Sequence, residues 1–166
     1  MTLPPPPPTP CAIGQDLLDD LPYDPSVLLF DELLEVDRDA SLVRARMTPE
    51  LPLPLTSAQR VDPVLHPSHL AGGLLVHATG MLGFLHAYYV LGLRHRDGWT
   101  GYGTRIHSAV FRKLVPPGAP VEATCRATRL RLGSARHVIR YAIELRSEGD
   151  RVYEGDQSAM WLRVAA

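Results

Sequence analysis

The stretch whose reading decides the fold is HLAGGLLVHATGMLGFLHAYYVLGL, residues His69 to Leu93. Its apolar residues fall on every face of a helix, which predicts a segment buried all round rather than one lying on a surface. His66-Pro67-Ser68 leads into it. Ser68 is the expected N-cap, because a serine hydroxyl satisfies a free N–H of the first turn. Inside a helix Gly72, Gly73, Gly80 and Gly83 each cost about 1 kcal/mol relative to alanine, so their use implies that backbone or a ligand comes close there. The run is apolar enough to suggest a membrane span. Against that stand His69, His77 and His86, the many small residues and the lack of an aromatic–basic flank on its N-terminal side, so no span is expected.

Strand-like runs lie on both sides of this helix. Val27–Val36 and Ser41–Met47 read as strands joined by the polar turn Asp37-Arg38-Asp39-Ala40. Pro49, Pro52, Pro54 and Pro63 make residues 49–67 an irregular loop. Beyond Asp97-Gly98, strands are expected near Tyr102–Arg112, Pro120–Leu132, His137–Ser147 and Val152–Val164. Pro116-Pro117-Gly118, Leu132-Gly133-Ser134 and Glu148-Gly149-Asp150 supply the turns. Ile139, Tyr141, Ile143 and Leu145 alternate with Arg140 and Glu144, the period of a half-buried strand. The order ββ–helix–ββββ predicts an α+β domain over residues 13–166, a curved antiparallel sheet of about six strands wrapped around one long buried helix. A short amphipathic helix is expected over 13–21. Residues 1–12 read as a disordered proline-rich tail, whose residues 1–10 should be removable without loss of stability.

Composition excludes several classes. The chain has 166 residues, one domain's worth, with 45% hydrophobic and 21% charged residues, ordinary values for a globular protein. Met1-Thr2-Leu3 followed by five prolines lacks the basic and apolar regions of a signal peptide. Cys11 and Cys125 are too few for a disulfide framework, and reduced thiols of a cytoplasmic protein are expected. Net charge is −1, yet residues 1–60 hold ten acids against four arginines, and residues 94–140 hold ten basic residues against Asp97 and Glu122. A basic face suits coenzyme A phosphates or an acidic carrier protein; equally, it can be a solvated face of arginine-rich strands. Nucleic acid is not expected, since no helix-turn-helix, zinc or aromatic–basic pattern accompanies the charge.

Three segments carry a resemblance. Residues 23–37, YDPSVLLFDELLEVD, form an apolar run ending in acidic turn residues. Phe111-Arg112-Lys113-Leu114-Val115-Pro116-Pro117-Gly118 matches a Phe-Arg-x-x-Val-x-Pro-Gly-Asp strand end, with Ala119 in place of the Asp. Val152-Tyr153-Glu154-Gly155 fits a final hairpin. Together, over residues 22–164, they resemble the hotdog-fold acyl-thioester enzymes, and in local sequence the bacterial 3-hydroxyacyl-carrier-protein dehydratases. The resemblance implies the hotdog fold and an acyl thioester, on coenzyme A or an acyl carrier protein, as substrate. The dehydratases carry Gly-His-Phe-Pro, then Pro-Gly at the helix start, then a Glu on the helix. Here Leu65-His66-Pro67 stands at the loop position, His77 falls five residues after Gly72, and no carboxylate occurs between Asp62 and Asp97.

The candidate catalytic residues are therefore His66, His77 and Asp62. A histidine titrating near its unperturbed pKa of about 6.5 suits proton transfer at neutral pH. Each also has a plainer reading: His66 as a surface residue, His77 as a core residue bonded to backbone, and His69 as structural. His86, Tyr88 and Tyr89 are expected to line a subunit surface or tunnel. The amides of Gly72 and Gly73, at a helix N-terminus, can polarise a thioester carbonyl, or these glycines only allow strand and helix to pack closely. His69, Leu74, Met81 and Phe84 would shape an acyl tunnel, and Arg105, Arg112 and Lys113 would receive phosphates. The histidines lack companions at zinc-like spacing, so neither metal nor cofactor is expected. Three functions remain open: dehydratase or hydratase as the leading one, thioesterase, or a non-catalytic acyl-binding protein. An exposed sheet edge predicts a homodimer or a dimer of dimers.

Overall fold

The computed structural model describes residues 3–164. Its centre is helix α2, Gly72–His86, extended by one wider turn over Ala87–Leu91 and closed by Gly92 in the left-handed conformation, φ 69°. The helix starts three residues later than its sequence suggests. Ser68 is not the cap: Ala71 precedes the first turn without a side-chain cap. The chain before it is extended, with Leu70 N–H donating to the Val115 carbonyl and Ala71 N–H to Thr56 Oγ1. These tertiary bonds hold the chain extended up to Ala71, so the helix begins only at Gly72. The helix and its last turn, Gly72–Leu91, are long and apolar enough to cross a bilayer, but 72% of the apolar window is buried inside the protein.

Around α2 curves one antiparallel sheet of seven strands. They are β1 (Cys11–Ala12), β2 (Glu32–Asp37), β3 (Leu42–Met47), β4 (Trp99–Phe111), β5 (Val121–Leu132), β6 (Arg136–Ser147) and β7 (Asp150–Arg163). Their spatial order is β1-β2-β3-β5-β6-β7-β4. β5, β6 and β7 form hairpins at the expected turns, and Glu148 and Gly149 turn the last of these with positive φ, 53° and 84°. Inner-face residues of β6 (Ile139, Tyr141, Ile143, Leu145) meet Leu75, Ala78, Leu82 and Leu85 of the helix in one core. On the outer face, Arg44 and Arg46 of β3 share Glu122 at 3.1 and 2.9 Å, with Glu35 and Glu32 at the far ends. The Arg46 hydrogen bond holds the Glu122 carboxyl below its ordinary range.

The N-terminal third departs from its reading. The helix expected over 13–21 is the single turn α1, Gln15–Leu18. The strand expected from Val27 begins only at Glu32, because Pro25–Val27 is a 3-10 turn capped by the Asp24 side chain and Leu29 has a positive φ of 59°. Cys11 and Ala12, assigned above to the tail, pair with Leu33 and Glu32 as β1. Leu3 packs against Gly92 so closely that a Cβ there would overlap it. His86, Tyr88 and Tyr89, expected at a subunit surface or tunnel, are buried in the core instead. The sheet edge at β4 leaves Tyr102, Ile106, Val110 and Phe111 between 40% and 55% exposed.

Candidate functional site

A cleft of about 540 Å³ opens between α2 and the β7–β4 edge of the sheet. Three segments run along it. The helix contributes His77, Thr79, Gly80, Met81, Gly83 and Phe84; the strands contribute Gly101–Ile106 with Gln157, Ser158, Ala159 and Trp161; Tyr23 stands at one end. Thr79 and Gln157 join helix to sheet. Gln157 Nε2 donates to the Thr79 carbonyl at 3.3 Å, and Thr79 Oγ1 lies 3.0 Å from Gln157 Oε1. This orients the amide, whose second N–H has no partner among the described residues.

His77 stands at the same end. Its Nε2 is 2.7 Å from the Val27 carbonyl. A carbonyl only accepts, so in the neutral ring Nε2 carries the hydrogen and Nδ1 holds the free lone pair. The backbone of the 3-10 turn thereby fixes the tautomer that a general base needs. The other end is aromatic: Phe84 meets Tyr23 edge-on at 5.6 Å and Trp161 at 5.1 Å between ring centroids. Between the ends, glycines leave part of the wall without side chains. A Cβ on Gly80, Gly83 or Gly103 would meet nothing within 4 Å.

The residues singled out from sequence fall into separate groups. His77, Met81, Phe84 and Arg105 line the cleft. Asp62 and His66 sit on the loop before the helix, paired by backbone bonds at 2.9 and 3.1 Å. Asp62 Oδ1 accepts from Leu65 and Val64 N–H, and these bonds hold its carboxyl below the usual range. His69 stacks on His66 at 5.1 Å and its Nδ1 faces the Pro67 carbonyl. The N-terminal glycines approach side chains: a Cβ on Gly72 would lie 3.2 Å from Phe111, and one on Gly73 2.9 Å from Leu55. Leu74 belongs to the core. Arg112 and Lys113 are engaged by Glu154 and Asp150. His66, Asp62 and the Gly72–Gly73 amides are therefore not gathered with His77 around the cleft.

Sequence reasoning missed Gln157, Thr79, Tyr23 and Trp161. One signal was present: Gln157, Ala159 and Trp161 share the inner face of β7 by alternation, and Gly80 and Gly83 share a helix face. No carboxylate lines the cleft, and no three His, Cys, Asp or Glu side chains gather where a metal ion could sit, among the described residues.

No family model matches the chain, and no curated protein matches it. Solved structures do. A thioesterase from Pseudomonas aeruginosa is 18% identical, covering 84% of this chain and 85% of its own, with a TM-score of 0.56. One from Haemophilus influenzae is 19% identical, with coverages of 85% and 83% and a TM-score of 0.56. A fluoroacetyl-CoA-specific thioesterase is 17% identical, with coverages of 78% and 90% and a TM-score of 0.56. These chains share the helix-wrapping sheet built here from β1–β7 and α2: the protein has the hotdog fold.

Proposed function

We propose that the protein hydrolyses acyl thioesters, the second of the three functions left open by the sequence. The observation that carries this reading is the polarity of the cleft: a histidine of fixed tautomer and an amide N–H at one end, an aromatic wall at the other. Such a gradient suits a thioester carbonyl at the polar end with its acyl group along the glycine-lined wall. The structural neighbours named as thioesterases favour hydrolysis over dehydration. One of them is named for a coenzyme A thioester, which makes coenzyme A the first carrier to test.

In this reading His77 Nδ1 takes a proton from water as the water oxygen bonds to the thioester carbon. The second N–H of Gln157 stabilises the developing oxyanion. The C–S bond then breaks, and the sulfur leaves as thiol with the proton that His77 returns. Arg105, which also lines the cleft, is the candidate for the carrier's phosphates. We further propose a homodimer through the β4 edge, whose exposed apolar residues a second copy would cover.

The test runs saturated acyl-, crotonyl- and 3-hydroxyacyl-CoA side by side, measuring thiol release and hydration separately. Thiol release from the saturated substrate is expected to dominate. His77→Ala should lose about 10²–10⁴-fold in turnover, and Gln157→Ala about 10²–10³-fold. Faster dehydration of the 3-hydroxyacyl substrate would restore the dehydratase reading, and no turnover of any of them would leave a binding protein.

A further inference from the structure

The two ends of the cleft set a length. Three chain segments run between them in step: His77 to Phe84 on the helix, Gln157 to Trp161 on β7, and Val27 back to Tyr23. His77 to Phe84 is seven residues, about 10.5 Å along a helix. Gln157 to Trp161 is four residues, about 13 Å along a strand. At the aromatic end Phe84 stands between Tyr23 and Trp161. Behind Phe84 and Trp161 lies a void of only about 10 Å³, between them and Leu17, Leu21 and Tyr88, room for about one water.

We propose that Phe84 sets the acyl-chain ceiling of this protein, and that its substrates carry short to medium acyl groups of at most about eight carbons. The proposal rests on the thioesterase reading for where the carbonyl sits, beside His77. With carbon–carbon bonds of about 1.5 Å a zigzag chain advances about 1.3 Å per carbon, so about 10.5 Å of helix accommodates about eight. Gly80 and Gly83 keep the path open, since a side chain at either would project into unfilled space. Phe84 is the plug: it is the one helix residue shared by the cleft and the void behind it.

Two substitutions move the ceiling in opposite directions. Phe84→Ala joins the cleft to the void and should admit chains several carbons longer. Gly80→Leu, three residues or about 4.5 Å from His77, should cut the limit to three or four carbons while favouring the helix. The experiment measures kcat/KM for saturated acyl-CoAs from acetyl to palmitoyl with all three proteins. For wild type it should rise to about octanoyl and then fall, a surplus methylene in a closed apolar pocket costing about 10–200-fold. Isothermal titration with non-hydrolysable S-alkyl-CoA thioethers of the same lengths reads the ceiling without turnover. Absence of hydrolysis with a length-limited titration would overturn the thioesterase reading alone. Equal handling of octanoyl and palmitoyl chains by wild type, or an unmoved profile in folded Phe84→Ala, would overturn the ceiling. So would binding of no thioether.

Discussion

His86 makes the stability of this fold depend on pH in a window of its own. The ring is fully buried, packed edge-on against Tyr141 at 5.1 Å between centroids. Its Nε2 lies 3.1 Å from the Ser41 carbonyl and its Nδ1 3.4 Å from the Tyr141 hydroxyl. Burial pushes its pKa down from 6.5 to about 4, against the opposing pull of the Ser41 bond. The unfolded chain thus takes up a proton below pH 6.5 that the folded chain refuses until about pH 4. Stability is then complete above pH 6.5, falls as pH drops through the window, and levels at its lower edge. At about 1.4 kcal/mol per pH unit the loss totals about 3 kcal/mol, a large part of the roughly 5–15 kcal/mol that a domain of about this size commands. The depressed carboxylates Asp24, Asp62, Glu122, Asp150, Glu154 and Asp156 lose their contribution at lower pH, in and below the ordinary carboxylate range. Above about pH 5, where the carboxylates are still ionised in both states, the slope up to about pH 6.5 reports His86. Urea unfolding at half-unit steps from pH 4.5 to 8 measures it, and His86→Gln should flatten the slope there. A wild-type stability constant between pH 7.5 and 5, or an equal slope in the variant, would refute the reasoning.

Three further outcomes follow from the packing. Deleting residues 1–10 removes Leu3 from Gly92 and should cost about 1–2 kcal/mol, most of one leucine's burial; calorimetry reads it as a lowered Tm. Gly98→Ala should destabilise by about 1–3 kcal/mol, because φ is 86° and a Cβ would lie 2.6 Å from the Val164 carbonyl; urea midpoints check it. Light scattering at micromolar concentration should return twice the monomer mass, and Ile106→Lys on β4 should return the monomer.

What the sequence made legible is what local patterning controls. The all-round apolar stretch announced a buried helix, and the alternation of Ile139 to Leu145 announced a strand with one inner face. The two late hairpin turns and the Pro116-Pro117-Gly118 turn before them stood out by their glycines. What it hid depends on distant partners. Ser68 looked like a cap, but Thr56 and Val115, far along the chain, supply the bonds that open the helix at Gly72. The helix has no polar face to mark which side meets the cleft, so His77, lining it, and His86, sealed in the core, looked alike. Gln157 and Trp161 gain their place only once β7 is laid against Thr79 and Phe84. Arg112 and Lys113 read as free cations because their carboxylates lie 42 and 37 residues away.

The strand order carries a consequence for how the chain is made. β4 emerges from synthesis before β5, β6 and β7, yet its sole neighbour in the sheet is β7, the last strand. β3 likewise waits for β5, across the whole helix, with Leu42 opposite Arg126. The hairpins β2–β3, β5–β6 and β6–β7 can close locally, but the sheet cannot close around the helix until residue 163 is out. Until then the apolar helix has no complete wall, and closing distant pairs is slow, on the order of milliseconds to seconds for sheet-rich domains. Folding of the domain should therefore wait for β7 to be made, with an exposed helix for helpers or aggregation to meet first.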